Sequence, residues 1–585
     1  MWQLQRIHNA LLLAAMFAFS ISVVAQTRPQ GASSPRPSST PVTTAEPTVG
    51  NITGSVVNES GQPLAGVRVQ VRDINGGAGR SLMTDASGNF HVDGLGAALY
   101  FVSAYYPAHV TPPTDAVWPF NYYRIGDSVR FELIRGGVIT GTVLNAAGEP
   151  VIGVRVRAVM VRTAKGEATR PGTTAFQEKT TDDRGVYRLF GLPSGTYIVS
   201  AGGATTAQTF NLNPFDHDLP TYSPSSTRDS AGEITLRAGE EITADIRYRG
   251  EIGHSISGTM KVTGPSNGSI SLTLVGGMIT MATTFQMPTS RGFEFPGIAD
   301  GEYEVVATEL RQQQPQVGIF PAMAMSEPKR VVVKGADVTG LELIPRPLSV
   351  ITGRVALEPA KVAACEGKRK PLFTEMIVTL QRPERENTEK EYLPFLRLQP
   401  SPASPDANGN FTLRNVSPGR YLFDPRFYAR YWYLSSISIA ATPKIDPAAN
   451  WTTLKFGEQI TNVTITLAEG AASIRGRLKP AENSEIRSGS AVYLIPAERE
   501  KAADVLRYFM TSVQPDGTFS FNNLAPGRYL ALVQPLEAQT DTLAKLRLPE
   551  SAETRAKLRR AAESQKTNLE IKPCQNLIDY ELPIK

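Results

Sequence analysis

The feature that most constrains the fold of this chain is a turn, strand and corner segment that recurs five times. Its clearest copy is the run PDGTFSFNNLAPGRY from Pro515 to Tyr529. Asp516-Gly517 suits the positive φ of a tight hairpin turn. The alternation that follows places Phe519 and Phe521 on one face of a strand, since successive strand residues point to opposite faces. The segment therefore predicts a hairpin with one buried face.

The five copies keep one register without gaps. Each has an aromatic residue, an aliphatic residue five positions later and a tyrosine five positions after that: Phe90/Leu95/Tyr100, Tyr187/Leu192/Tyr197, Phe293/Ile298/Tyr303, Phe411/Val416/Tyr421 and Phe519/Leu524/Tyr529. The end of each copy resembles the tyrosine corner of β-sandwich domains, in which a buried hydroxyl bonds to upstream backbone. We therefore expect the tyrosine of every triplet to be a buried structural residue.

A second marker opens each copy as a strand with a central glycine. It reads Ile52-Thr53-Gly54, Ile139-Thr140-Gly141, Ile256-Ser257-Gly258, Ile351-Thr352-Gly353 and Ile474-Arg475-Gly476. Two independent markers that occur in the same order five times indicate a tandem repeat. This repeat constrains the architecture more strongly than any single predicted strand or helix.

The markers and the composition divide the chain into seven segments. They are a signal peptide (1–25), a disordered linker rich in Pro, Ser and Thr (26–50), and five β-sandwich domains (51–135, 136–250, 251–346, 347–469 and 470–585). Each repeat of roughly 85 to 120 residues is long enough for its own core. The short junctions favour a row of domains with limited freedom. The last domain should include a short surface helix, Ala552 to Gln565, capped by Ser551 and followed by a final strand, Leu569 to Lys572.

The first two repeats share a further strand signature. Residues 61–71, GQPLAGVRVQV, and 148–156, GEPVIGVRV, place a turn before an alternating strand, and the turns DASGNF (85–90) and DDRGVY (182–187) follow. This combination resembles the carboxypeptidase regulatory-like domain. The resemblance implies a transthyretin-like sandwich, grouped with carbohydrate-binding-like folds. The later repeats keep both markers but lack the G-x-P-x-x-G turn. We expect an all-β chain: a tandem array of five immunoglobulin-like or transthyretin-like β-sandwiches after a signal peptide.

The N-terminus has the pattern of an export signal. Arg6 precedes an apolar run from Ala10 to Val24, and small residues predict cleavage after Ala25. We therefore expect a secreted or periplasmic protein of the bacterial envelope without a membrane span, because no later apolar run reaches the ~20 residues of a spanning helix. The formal net charge of +5 is small, and its basic clusters are short, so no nucleic-acid partner is expected.

The histidines do not favour catalysis. A zinc carboxypeptidase needs a His-x-x-Glu pair and a distant His, and none of the five His here is followed three residues later by Glu. The turns at Asp85 and Asp406 carry oxygen atoms at alternate positions, as calcium loops do, but lack the bidentate Glu. We predict neither enzyme activity, cofactor nor metal. The expected function is binding or scaffolding, and the alternative is an accessory subunit of a secreted carboxypeptidase or other hydrolase.

Two aromatic clusters lie outside the repeated core positions. One contains Tyr105, Tyr106, Trp118, Phe120, Tyr122 and Tyr123, and the other contains Phe427, Tyr428, Tyr431, Trp432 and Tyr433. Consecutive strand residues point to opposite faces, so some rings should be exposed or covered by a loop.

Exposed rings of this kind stack on sugars, and nearby polar groups form hydrogen bonds with the sugar hydroxyls. The candidate carbohydrate-binding residues are Tyr106, Trp118, Tyr122, Tyr431 and Trp432, with Trp118 and Trp432 as platforms. The polar neighbours are Asn121, Arg124, Arg426 and Arg430. The partners would be polysaccharide or envelope proteins, and the alternative is that the rings pack between domains.

Cys365 and Cys574 are the only cysteines. An oxidising compartment permits a bridge between the fourth and fifth domains, but spacing in the sequence does not give the distance between the two residues. Two free thiols are the alternative.

Overall fold

The structure, a computed structural model, describes residues 49–76, 79–112, 122–169, 176–203, 206–207, 213–261, 266–274, 280–286, 292–311, 322–382, 402–439, 451–479, 489–535 and 551–583. These residues form a tandem array of five β-sandwiches, which confirms the predicted fold class. The predicted signal peptide and all of the predicted linker except its last two residues lie outside the described residues.

The first domain pairs two four-stranded sheets, ordered β4-β1-β8-β6 and β3-β2-β5-β7. Its first strand starts at Val49, two residues before the predicted boundary. The strands are β1 (Val49–Asn58), β2 (Arg68–Asp73), β3 (Arg80–Met83), β4 (Asn89–Gly96), β5 (Tyr100–Tyr105), β6 (His109–Val110), β7 (Tyr122–Tyr123) and β8 (Ser128–Arg135).

The second domain has one sheet ordered β12-β9-β17, with β18 also on β9, and another ordered β11-β10-β13-β15, with β16 on β13. Its strands are β9 (Gly137–Leu144), β10 (Arg155–Thr163), β11 (Phe176–Thr180), β12 (Val186–Leu192), β13 (Gly195–Ala201), β14 (Thr206–Ala207), β15 (Thr221–Tyr222), β16 (Ile234–Leu236), β17 (Glu241–Thr243) and β18 (Ile246–Arg247).

The third domain has sheets ordered β22-β19-β26 and β21-β20-β23-β24-β27, with β25 on β23 and the second domain's β14 added to β21. Its strands are β19 (His254–Met260), β20 (Ser266–Leu274), β21 (Thr280–Gln286), β22 (Gly292–Ile298), β23 (Gly301–Arg311), β24 (Ala322–Met325), β25 (Lys329–Val333), β26 (Val338–Leu343) and β27 (Arg346–Pro347).

The fourth domain has sheets ordered β30-β28-β34-β32 and β29-β31-β33. Its strands are β28 (Ser349–Glu358), β29 (Met376–Gln381), β30 (Asn410–Val416), β31 (Gly419–Phe427), β32 (Trp432–Ile439), β33 (Trp451–Leu454) and β34 (Gln459–Glu469).

The fifth domain has sheets ordered β38-β35-β41 and β37-β36-β39-β40. Its elements are β35 (Ala472–Lys479), β36 (Ser490–Pro496), β37 (Phe509–Ser512), β38 (Thr518–Leu524), β39 (Gly527–Pro535), α1 (Ala552–Gln565), β40 (Thr567–Ile571) and β41 (Asn576–Pro583).

The helix has the predicted bounds but is not a mere surface excursion. The Ser551 hydroxyl accepts from the Thr554 N–H and caps its start. Leu558 and Ala562 pack on the apolar outer face of the sheet that contains β36 and β39. The strand after the helix is not the last one, because β41 follows and pairs in parallel with β35.

The two sequence markers are partners across one strand pair. In every domain the marker glycine lies directly opposite the aromatic residue of the triplet, as Gly54/Phe90, Gly141/Tyr187, Gly258/Phe293, Gly353/Phe411 and Gly476/Phe519. A Cβ at Gly353 would clash with the Phe411 ring and with the carbonyl oxygen of Val463 on the next strand. The glycine therefore makes room for the aromatic ring in the core.

Each triplet tyrosine makes the same corner contact. Its hydroxyl donates to the carbonyl oxygen four residues upstream, over distances of 2.7–3.0 Å, from Tyr100 to Gly96, Tyr197 to Pro193, Tyr303 to Ala299, Tyr421 to Ser417 and Tyr529 to Ala525. No corner tyrosine is more than 6% exposed.

Consecutive domains dock through one repeated backbone contact. The N–H three residues before the marker isoleucine donates to a carbonyl oxygen of the preceding domain: Gly136 to Ala108, Gly253 to His217, Leu348 to Met323 and Ala471 to Tyr431, all at 2.9–3.0 Å. The four junctions therefore share one docking register.

A β-bulge residue lies beside each of these contacts. It comes four positions after the triplet aromatic and has positive φ at Gly191, Gly297, Asn415 and Asn523. The Asn523 amide donates to the carbonyl oxygens of Ala429 and Trp432 in the fourth domain, at 2.7 Å each. In the fourth domain, the Asn415 side chain accepts from the Met323 N–H at 2.9 Å. These two asparagines add side-chain bonds to the docking register.

Candidate binding site between the first and fourth domains

The two aromatic clusters meet where the fourth domain contacts the first. Tyr122 lies in β7 at the edge of a first-domain sheet, and Tyr428 follows the end of β31. The Tyr428 hydroxyl donates to the Tyr122 carbonyl oxygen at 2.7 Å. The Arg124 guanidinium lies 4.7 Å from the centre of the Tyr428 ring and 3.7 Å from the Glu375 carboxylate. Domains far apart in sequence therefore share one interface.

A cleft of about 590 Å³ lies at this interface. Its aromatic walls are Tyr122 and Tyr123 from the first domain and Phe427 and Tyr428 from the fourth. The remaining lining residues are Asp127, Ser128, Ile377, Thr379, Pro402 and Arg426. A concave site with mainly apolar and aromatic walls and a few polar groups is typical of a small-molecule site.

Two buried polar atoms at this interface have no hydrogen-bond partner among the described residues. They are the Thr379 hydroxyl oxygen and the Arg124 Nε. Thr379 is 2% exposed, and its cross-strand neighbour Asp424 is engaged by the Gln381 amide at 2.6 Å and by Arg426. A buried hydroxyl without a partner costs free energy, and a ligand that bonds it recovers part of that cost.

The phenols of the cleft are held neutral. Burial raises the pKa of Tyr122, although Arg426 opposes the shift, and burial likewise raises the pKa of Tyr428 against Arg124. Both phenols therefore stay uncharged well above neutral pH, which suits stacking on the apolar face of a ligand.

The structure corrects the predicted role of Trp432. This residue is 0% exposed and belongs to the fourth-domain core, so it is not an exposed platform. The reason is that β32 completes the sheet beside β34, and its first residue points into the sandwich. Tyr431 is half-buried against the same core, with the Lys368 ammonium 4.9 Å from its ring centre.

The remaining candidate carbohydrate-binding residues differ in where they lie. Tyr106 packs against the first-domain core and against the His109 ring, with 4.9 Å between ring centres, whereas its neighbour Tyr105 is 64% exposed. Tyr122 lines the cleft. Trp118 lies outside the described residues. Of the polar neighbours, Arg124 and Arg426 are at the interface, and Asn121 is not described.

Sequence reasoning missed Thr379 and did not select Phe427 or Tyr428. The two aromatic residues were visible as members of the second cluster. Thr379 had a weaker signal, because it is a polar residue inside the otherwise apolar strand MIVTLQ (376–381).

The Asp-led turns bind their own backbone. The Asp85 carboxylate accepts from the Ser87 and Asn89 N–H groups, and the Asp406 carboxylate accepts from those of Asn408 and Asn410. Within the described ranges, no group of three or more His, Cys, Asp and Glu is placed to hold a metal ion.

Cys365 and Cys574 are joined by a disulfide, with their Cα atoms 5.5 Å apart. Cys365 is buried in the fourth domain, and Cys574 precedes β41 in the fifth. The bridge therefore ties the last two domains covalently. In the part of the chain that the structure describes, no helix is long and apolar enough to cross a membrane.

The structure is that of a tandem β-sandwich protein with a cleft between its first and fourth domains. Residues 51–116 match the family model of the carboxypeptidase regulatory-like domain, which confirms the resemblance in the first repeat. No curated protein matches the sequence.

Several solved structures are similar to parts of this chain at low identity. The Bacillus anthracis TIE protein is 14% identical, with 51% of each chain covered and a TM-score of 0.14. GBS52, the minor pilin of Streptococcus agalactiae, is 13% identical, with 34% of this chain and 96% of that chain covered and a TM-score of 0.19. BcpA, the major pilin subunit of Bacillus cereus, is 10% identical, with 51% and 99% covered and a TM-score of 0.14.

Proposed function

We propose that this chain is an exported, non-catalytic scaffold that holds a carbohydrate in the cleft between its first and fourth domains. The observation that carries the proposal is the unpartnered Thr379 hydroxyl, buried in a cleft walled by aromatic rings. Other parts of the array position the two domains that form the cleft.

The chemistry of the cleft fits a sugar ring. The C–H face of a pyranose stacks on rings such as those of Tyr122 and Tyr428, while its hydroxyls need donors and acceptors close by. Thr379, Ser128 and Arg426 supply such groups along the same cleft. A ligand hydroxyl that reaches the Thr379 oxygen would supply the hydrogen-bond partner that the protein itself does not.

The test compares Thr379→Val with wild type on a glycan array and then in solution with the best glycan. Loss of one neutral hydrogen bond should weaken binding about 2- to 10-fold. The unliganded variant should be as stable as wild type or slightly more stable, because a methyl group replaces an unpartnered hydroxyl.

Thr273→Val is the matched control, since Thr273 is a buried threonine in the third domain, away from the cleft. It should leave binding unchanged. Equal binding by Thr379→Val and wild type, or retention of wild type on no glycan, would contradict the proposal.

A second candidate is an accessory subunit of a secreted carboxypeptidase or other hydrolase. The match of residues 51–116 to a regulatory-like domain supports it. Pull-down of a chelator-sensitive peptidase activity by the chain, unaffected by Thr379→Val, would favour this candidate over glycan binding.

A further inference from the structure

One sheet face of the first domain continues the cleft. The outward residues of the sheet β3-β2-β5-β7 form three rows across the strands, which together we call the outer face. The rows are Met83/Arg68/Tyr105, Ser81/Gln70/Ser103 and Arg72/Phe101/Tyr122. Tyr122 belongs to this face and also lines the cleft, so the two surfaces are continuous.

The burial pattern fixes which side of the sheet is outside. Val69 and Val71 of β2, and Tyr100 and Val102 of β5, are buried in the core. Since strand residues alternate, their neighbours along the chain point away from the sandwich. Two of these outward residues are strongly exposed apolar side chains: Tyr105 is 64% exposed and Met83 is 55% exposed.

The outer face also carries two positive charges, and none of its own residues is negatively charged. Arg68 and Arg72 are both exposed, none of the nine residues in the three rows is acidic, and no described carboxylate forms a salt bridge with either arginine. Two exposed arginines of the second domain are paired, Arg184 with Asp182 and Arg188 with Glu241, each at 2.9 Å.

Guanidinium groups beside an exposed tyrosine ring suit one ligand chemistry. A guanidinium binds a carboxylate or sulfate through two parallel hydrogen bonds, and a ring stacks on the sugar that carries that group. From Phe101 to Tyr105 the face extends about 13 Å along β5, which is longer than one sugar ring.

We infer that the ligand is an anionic polysaccharide, which lies across the outer face with its acidic groups on Arg68 and Arg72 and places one sugar in the cleft. This inference rests on the proposed function and adds the substrate class to it. The cleft recognises a sugar ring, and the outer face recognises the charge on its neighbours.

The experiment uses the chain from residue 26 onward and two forms of one polymer. Polygalacturonate carries a carboxylate on each sugar, and its fully methyl-esterified form has the same backbone without the charge. Affinity electrophoresis and calorimetry should show polygalacturonate bound at least tenfold more tightly, with the difference shrinking at high salt because the contacts are ionic.

The variant Arg68→Gln/Arg72→Gln should lose about tenfold in affinity for polygalacturonate and keep its affinity for the ester. The matched control is Arg184→Gln/Arg188→Gln, which removes the same charge from paired arginines in the second domain. It should bind both polymers as wild type does.

Three outcomes would overturn the inference. They are equal affinity for acid and ester, an equal loss in the control variant, and equally tight binding of polyglutamate or DNA, which would make the face a general anion surface. If Thr379→Val weakens binding of the ester while the Arg68/Arg72 variant changes nothing, the proposed function stands and this inference fails. If neither polymer nor any neutral glycan binds, the proposed function fails first.

Discussion

At the scale of single residues, the corner tyrosines are the clearest stabilising contacts. Tyr529 is 2% exposed, and its hydroxyl donates to the Ala525 carbonyl oxygen at 2.8 Å. Tyr529→Phe leaves that buried carbonyl without its partner, so it should lower the free energy of unfolding of the fifth domain by about 1 to 3 kcal/mol. Urea denaturation measures this. Tyr105→Phe, at an exposed ring, is the control and should change nothing.

The buried Tyr303 should make the stability of the third domain depend on pH. Burial raises the pKa of Tyr303 to about 12, and it is the only tyrosine between residues 251 and 346. A folded-state pKa above the unfolded value of about 10 means that the associated stability is complete below pH ~10 and is lost as the pH rises through 12. The midpoint of urea unfolding for this domain should fall over that range.

Tyr303→Phe should remove this part of the decrease while lowering stability at neutral pH, because the bond to the Ala299 carbonyl oxygen is lost. An unchanged alkaline slope in the variant would assign the effect to other groups.

The sequence predicted the positions of the marker residues better than those of the candidate binding residues. Every marker glycine lies opposite its triplet aromatic residue, because the ring packs over the space that the glycine leaves on the neighbouring strand. The sequence contained no comparable local signal for the side of the sheet on which the Trp432 side chain lies. In the run Tyr431-Trp432-Tyr433, the alternation of strand side chains predicts that neighbouring rings point to opposite faces of the sheet. It does not predict which ring enters the core.

At the scale of secondary structure elements, the bulge strands β12, β22, β30 and β38 set the docking of each domain on its predecessor. The positive φ of the bulge residue is met by glycine in two junctions and by asparagine in the other two. Where asparagine stands, its side chain also bonds the preceding domain. The bulge therefore combines a conformational requirement with a recognition contact.

Asn523 allows these two contributions to be separated. Asn523→Gly keeps the left-handed conformation but removes both amide bonds to the fourth domain, so it should weaken docking by about 1 to 3 kcal/mol. Asn523→Ala also places a Cβ at a φ of 55°, which should add about 1 to 2 kcal/mol. Denaturation followed through the fifth domain should rank wild type, Gly and Ala in that order. Equal stability of the Gly and Ala variants would show that the backbone conformation contributes nothing.

At the scale of the whole molecule, the domains do not form an open row, because the fourth contacts the first. The Ser404 N–H donates to the Asn75 side chain at 3.3 Å, and the Arg124, Tyr122 and Tyr428 contacts lie at the same interface. The short junctions and their docking contacts join neighbouring domains. Their angles, which decide whether distant domains meet, come from docking contacts that no periodicity in the sequence reports, so the cleft was not predictable.

The disulfide between Cys365 and Cys574 acts at this same scale. It closes a loop of 209 residues and joins the fourth and fifth domains beside the docking contact of Ala471 with Tyr431. Constraint of the unfolded chain by such a long loop should contribute about 2 to 4 kcal/mol to the joint stability of the two domains.

Thiol titration of the unfolded, unreduced chain should find no free thiol, whereas two per chain would exclude the bridge. Cys365→Ser/Cys574→Ser should lower the unfolding midpoint of the last two domains and leave that of the second domain unchanged. The same variant should keep its glycan affinity if the cleft depends on the first and fourth domains alone. A parallel loss of affinity would show instead that the fifth domain holds the fourth in its binding position.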